Sequence, residues 1–195
     1  MKGLLFLTST GFRNPEVLKI SLDHLKNQTK PIIVALVVTA AEGKTENLFV
    51  LQQKSFIEAS SADVRVSLID TDEPGHDFST ADLIFIAGGN TFRLLSSLRT
   101  INFKKSVSEC LERGGVVVGA SAGAVVLGPN VMIANEVTPD TNELGVTDFQ
   151  GLKVVNMSVY PHYSVEVEPA IVTFEATYGC SVQRLDNDAF VLFAL

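Results

Sequence analysis

The chain has 195 residues, 46% hydrophobic and 19% charged, a balance that suits a single packed domain over 1–195 and excludes a disordered chain. Its formal charge of −7, with no basic run, excludes a phosphate backbone and so a nucleic-acid partner. The longest apolar runs, such as Ile32 to Val38, are shorter than the about 20 residues that span a bilayer, so no membrane partner is expected.

Residues 2–8 predict a short apolar strand. Leu4-Leu5-Phe6-Leu7 falls short of the roughly 7–15 apolar residues of a signal-peptide core, and the protein is therefore expected in the cytoplasm. Two cysteines, Cys110 and Cys180, read as small buried hydrophobes in a reducing compartment. The triplets Asn27-Gln28-Thr29 and Asn156-Met157-Ser158 match the glycosylation pattern by chance in that setting. "NPEVLKISLDHLKN" predicts a helix. Asn14 caps it, Pro15 suits the first helical position, and Leu18, Leu22 and Leu25 share one face. His24 on that helix reads as surface.

"PIIVALVVTA" is nearly continuous in apolar, β-branched residues, as a strand covered on both faces would be. A helix-permissive stretch follows from Thr45 to Ser60, then the alternating strand "DVRVSLIDT" and a loop, "DEPGHDFS", that carries His76. "ADLIFIAGGN" is a second buried strand, followed by helical stretches at Thr91–Leu98 and Phe103–Arg113 and by the strand "GGVVVG". Residues 129–152 are expected to form loops and short strands, "KVVNMSVYPHY" a strand, Glu168–Thr177 a helix, and 180–195 a closing pair of strands. This order predicts an α/β fold, a three-layer sandwich with a mostly parallel sheet and helices on both faces.

In open parallel sheets, sites form at the carboxyl ends of strands. Three such ends are unusual here: Gly88-Gly89-Asn90-Thr91, Gly119-Ala120-Ser121-Ala122-Gly123, and the segment ending in His162. The serine pattern is the G-x-S-x-G of a nucleophile elbow, a strained strand-to-helix turn that tolerates only small neighbours. Such a turn exposes the Ser121 hydroxyl and aims the Ala122 N–H at a developing oxyanion. A serine nucleophile needs a base, and His162 is the histidine that follows a predicted strand end. A phosphate cradle is excluded. Gly43-Lys44-Thr45 imitates the end of a phosphate loop, but Val38 stands where that loop needs glycine.

"IAGGNTFRLL", "GASAGAVV" and "YPHY", in this order and spacing, resemble the aspartyl dipeptidase (dipeptidase E) and cyanophycinase group of serine peptidases. "LTSTGF" and "LDNDAFVL" fit the same resemblance, which covers nearly the whole chain. It implies a flavodoxin-like fold of the class I glutamine amidotransferase kind, with serine in place of cysteine. It also implies Ser121 as nucleophile, His162 as general base, and an oxyanion hole from backbone N–H groups at Gly88, Gly89 and Ala122. The implied reaction is hydrolysis of short peptides, dipeptides with N-terminal aspartate, or of β-aspartyl links in cyanophycin, needing no metal and no cofactor. The partner is then a small peptide, and the protein a monomer or homodimer.

The resemblance implies two candidate positions for the third member of the triad. Glu136, fifteen residues after the serine, is taken as the carboxylate, and Asn187 between Asp186 and Asp188 is kept as a second orienter. Asparagine can orient an imidazole but does not stabilise imidazolium by charge. An aspartyl side chain would need a cation, and Arg93 and Arg184 lie near strand ends without being assigned to it. The rival readings are another acyl hydrolase or esterase, and a binding or sensor homologue weakened in catalysis by Asn187.

Overall fold

The computed structural model describes residues 2–26, 31–60, 62–137 and 140–195; the triplet Asn27-Gln28-Thr29 lies outside them. The apolar runs become strands β1 (Leu4–Thr8), β2 (Ile32–Val37), β3 (Val64–Ile69), β4 (Leu83–Ile86), β5 (Val116–Ala120), β6 (Ser158–Tyr160), β7 (Val182–Arg184) and β8 (Phe190–Ala194). Six of them form one sheet in the order β3-β2-β4-β5-β1-β8. All neighbours pair in parallel except the edge strand β8, which runs antiparallel to β1.

The helices are α1 (Pro15–Leu25), α2 (Leu48–Glu58), α3 (Thr91–Thr100), α4 (Phe103–Glu112), α5 (Ala122–Leu127), α6 (Met132–Glu136) and α7 (Glu168–Tyr178). Successive side chains of a strand point to opposite faces, so each central strand feeds two cores. Leu5, Leu7, Val37, Ile84, Ile86 and Val117 pack with residues of α3, α4, α5 and α7. Phe6, Val34, Leu36, Leu83, Phe85, Val116 and Val118 pack with residues of α1 and α2. This double coverage is why the strands carry almost no polar residue, and it makes the three layers. Burying each such Val, Leu or Phe contributes about 1.5–3 kcal/mol.

The Asn14 cap behaves as the sequence predicts, and α3 carries a second cap of the same kind. Asn14 Oδ1 accepts the Glu16 N–H at 2.9 Å to cap α1, and Asn90 Oδ1 accepts the Arg93 N–H at 2.9 Å to cap α3. The closing segment differs from expectation. β7 does not pair with β8; it pairs in parallel with β6 as a separate two-stranded sheet, while β8 joins β1. Residues 129–152 also contain a helix, α6, which at five residues is too short to show a helical period.

Because the main strands are parallel, the carboxyl ends of β1, β4 and β5 lie side by side. Thr8 pairs with Ala120, and Ile86 with Gly119, so the residues that follow these strands emerge at one edge. The short β6–β7 sheet brings His162 to that edge.

Candidate active site

Ser121 leaves β5 at φ 55° and ψ −120° and heads α5. A non-glycine residue in this region costs about 1–3 kcal/mol and persists only when its surroundings hold it. Here the Ser121 N–H donates to Thr8 O at 2.9 Å, and Ser121 O accepts the N–H groups of Ala124 at 2.9 Å and Val125 at 3.2 Å. The glycines make room. A Cβ on Gly123 would stand 2.2 Å from Ile86 O, and a Cβ on Gly88 would stand 2.8 Å from Ser121 Cβ. The small residues around the serine therefore serve the close approach of α5 to β4 and of the β4 loop to the hydroxyl.

His162 follows β6 through Pro161 and is itself held at φ 56°. Its Nε2 lies 3.0 Å from Ser121 Oγ, and its Nδ1 lies 2.8 Å from Asn187 Oδ1. An amide oxygen accepts and cannot donate, so with Oδ1 toward the ring the Nδ1 carries the proton. Nε2 of the neutral ring is then the acceptor, and it faces the serine hydroxyl.

A group that sequence reasoning missed sets this geometry. Ser9 is 1% exposed; its hydroxyl accepts the His162 N–H at 3.0 Å and donates to Leu185 O at 2.9 Å. Thr10 Oγ1 donates to Asn187 O at 2.7 Å, and Asp186 Oδ1 accepts the N–H groups of Asp188 and Ala189 at 2.9 and 2.8 Å. The Ser9-Thr10 pair thus ties the end of β1 to both the imidazole and its partner. The available signal was the pair of hydroxyl residues directly after a buried strand.

Glu136 is not the group against His162. It ends α6, where its carboxylate accepts a hydrogen bond from the Tyr178 hydroxyl of α7, and that bond holds the phenol above its usual range. The place beside Nδ1 is taken by Asn187. The position that the resemblance implies is not beside the imidazole because α6 turns it toward α7. The other histidines are also placed elsewhere. His24 Nε2 lies 2.9 Å from Gly114 O, and His76 Nδ1 lies 3.0 Å from Glu73 O.

Two clefts flank the serine–histidine pair. The first, of about 240 Å³, is lined by Gly89, Ala122, Val125, Ile133, Asp140 and Tyr160, among others. Asp140 Oδ2 there accepts the Thr91 N–H at 2.8 Å. The second, of about 300 Å³, runs past Ser9, Thr10, Arg13, Glu42, Gly88 and Gly89. Among the described residues no protein acceptor takes the N–H of Gly88, Gly89 or Ala122, and all three border the clefts that reach Ser121. A larger cavity of about 710 Å³ lies at the opposite end of β1, beside Lys2, Lys104 and Leu195, away from these groups.

Arg93 and Arg184 are turned to other work. Arg93 Nη2 pairs with Asp72 Oδ2 at 3.1 Å. Arg184 bridges Glu168 at 2.8 Å and Glu175 at 2.5 Å, tying β7 to α7. Hydrogen bonds from its guanidinium hold both carboxyls below their usual range.

The family described as Peptidase family S51 matches residues 4–194. An uncharacterized peptidase of Listeria monocytogenes is 33% identical over 96 residues, a match that covers 47% of this chain and 47% of the relative. The chain thus spans about half the length of that relative. A peptidase E of Haemophilus influenzae is 26% identical over 172 residues, covering 84% of this chain and 74% of that one. A solved structure from Listeria monocytogenes, assigned provisionally to peptidase E, superposes with a TM-score of 0.71 at 23% identity over 100% of both chains. A peptidase structure from an acI-B1 Actinobacterium gives 0.68 at 20% identity, over 99% of this chain and 84% of the other. These structural likenesses support the mostly parallel, flavodoxin-like sandwich.

Proposed function

Since this chain belongs to peptidase family S51, we propose that it is a serine-type peptidase that hydrolyses short peptides, dipeptides with an N-terminal aspartate being the substrate class its motifs resemble. The observation that carries this reading is the 3.0 Å approach of His162 Nε2 to the hydroxyl of a serine held in an elbow conformation.

Ser121 Oγ attacks the scissile carbonyl while His162 Nε2 takes its proton. Asn187 Oδ1 keeps the Nδ1 proton in place and so presents Nε2 as the base. The N–H groups of Ala122 and of Gly88 or Gly89 receive the negative oxygen, a role in which loss of one donor costs about 100- to 1,000-fold in other enzymes. His162 then returns the proton to the leaving amine, and water clears the acyl-serine by the reverse sequence. Two thiols with no disulfide between them suit a cytoplasmic setting.

The test is turnover of an Asp-X, Glu-X and β-Asp-X dipeptide panel by the native protein and by Ser121→Ala. The native protein is expected to cleave Asp-X, and the variant to keep its fold and lose turnover. Equal cleavage of Asp-Leu by both proteins ends this reading. A second reading, a binding homologue weakened in hydrolysis, is favoured by the neutral Asn187. It predicts dipeptide binding without fluorophosphonate labelling of Ser121.

A further inference from the structure

Arg13 brings an unspent positive charge to the cleft that contains Ser121 and His162. It ends the single 3-10 turn Gly11–Arg13 that follows β1. That turn is held firmly: Phe12 N–H donates to Gln53 Oε1 at 2.7 Å, and the Phe12 ring packs 4.9 Å from that of Phe85. The guanidinium is oriented in turn. Its Nε donates to Gln52 Oε1 at 2.6 Å, and its carbon lies 5.8 Å from the Phe49 ring centroid.

These contacts leave the two terminal nitrogens of Arg13 without an acceptor or ion pair among the described residues. Arg93, Arg99 and Arg184 are each paired with carboxylates. Among the described residues lining the two clefts at Ser121, Arg13 is the one lysine or arginine. A planar fork with free donors, beside a nucleophile, in a protein of net charge −7, is suited to a carboxylate that the rest of the surface would repel. Glu42 lines the same cleft and offers the opposite sign to a peptide ammonium.

We propose that Arg13 binds a carboxylate of the peptide substrate and holds the peptide across the Ser121–His162 pair. This rests on the peptidase reading above. A dipeptide such as Asp-Leu has two carboxylates that qualify, the aspartyl side chain and the C-terminus, and both present the same planar anion.

The test is calorimetric titration of Ser121→Ala and of Ser121→Ala with Arg13→Gln, using Asp-Leu, Asn-Leu and Asp-Leu amide. Loss of a charge-assisted hydrogen-bonded pair is expected to weaken Asp-Leu by about 10- to 100-fold. Arg13→Gln should then leave one neutralised peptide unaffected: Asn-Leu if Arg13 holds the side chain, Asp-Leu amide if it holds the C-terminus. Arg13→Lys should restore part of the loss. The proposal is overturned if Arg13→Gln leaves Asp-Leu affinity unchanged, if it weakens all three peptides equally, or if Asp-Leu does not bind at all. Turnover of Asp-Leu by protein with Ser121 intact is scored separately. Carboxylate-dependent binding without turnover ends the hydrolysis reading and keeps Arg13, and turnover indifferent to Arg13 does the reverse.

Discussion

Asn187 Oδ1 stands 2.8 Å from His162 Nδ1, so the imidazole that faces Ser121 is backed by an amide and not by a carboxylate. The amide selects the tautomer that leaves Nε2 free to take a proton, but it lends no charge to the imidazolium that then forms. Asn187→Asp is expected to raise kcat on any peptide the protein cleaves. A carboxylate at that place supplies the charge that the imidazolium lacks beside an amide. Asn187→Ala should lower kcat, because the ring loses the acceptor that fixes its tautomer. Steady-state kinetics of the three proteins check this, and an unchanged or lower kcat in Asn187→Asp contradicts it.

Ser9 is predicted to matter through His162 and not through substrate. Its hydroxyl is the acceptor for the His162 N–H and a donor to Leu185 O. Ser9→Ala leaves a partly buried N–H unpaired, which costs about 1–3 kcal/mol. Urea denaturation should read that loss, and kcat should fall while KM changes little, because the imidazole loses its anchor.

Gly88 and Gly123 should separate activity from stability. Alanine at 88 would press its methyl onto Ser121, at 2.8 Å from Cβ and 3.3 Å from Oγ. Alanine at 123 would strike the Ile86 carbonyl at 2.2 Å and force α5 from β4. Gly88→Ala is expected to cut turnover with a small change in melting temperature. Gly123→Ala is expected to cost about 1–3 kcal/mol or more, as overpacking does, and the denaturation midpoint should show it.

The Arg184 cluster predicts an acid-sensitive fold. Glu168 and Glu175 have native pKa values below the ordinary 4.5, through hydrogen bonds from Arg184. A carboxyl with a depressed native pKa adds stability above its unfolded value, and that stability is lost as pH falls through the native one. Denaturation midpoints should therefore fall below about pH 4.5. In Arg184→Met the midpoint should be lower at pH 7, and its distance from the native protein should shrink as the acid is approached. A constant distance at all pH values counts against the pairing.

Cys110 should be inert. Burial pushes its thiol up to about 12, so almost no thiolate exists at pH 8. A thiol reagent at that pH should modify Cys110 after unfolding only. Mass spectrometry before and after addition of urea checks the count.

Much of this molecule was legible in the order of its residues, because some physical constraints act between near neighbours. Strands buried on both faces must be apolar at every position, so β2, β4 and β5 stand out as runs. The elbow at Ser121 needs small residues on either side of it, so Gly119 and Gly123 announce it. The cap at Asn14 acts within two residues. What the sequence by itself determined is therefore the layered α/β plan and the serine turn. Tertiary structure alone decided what backs the imidazole, which arginine remains unpaired, and that β7 pairs with β6, the strand that leads to His162. His162 meets groups 25, 41 and 153 residues away, and those meetings depend on hydrogen-bond distances near 3 Å. Spacing along a chain does not encode such distances. They follow from how the β6–β7 pair and α6 pack, which is why Glu136 lost its expected place to Asn187.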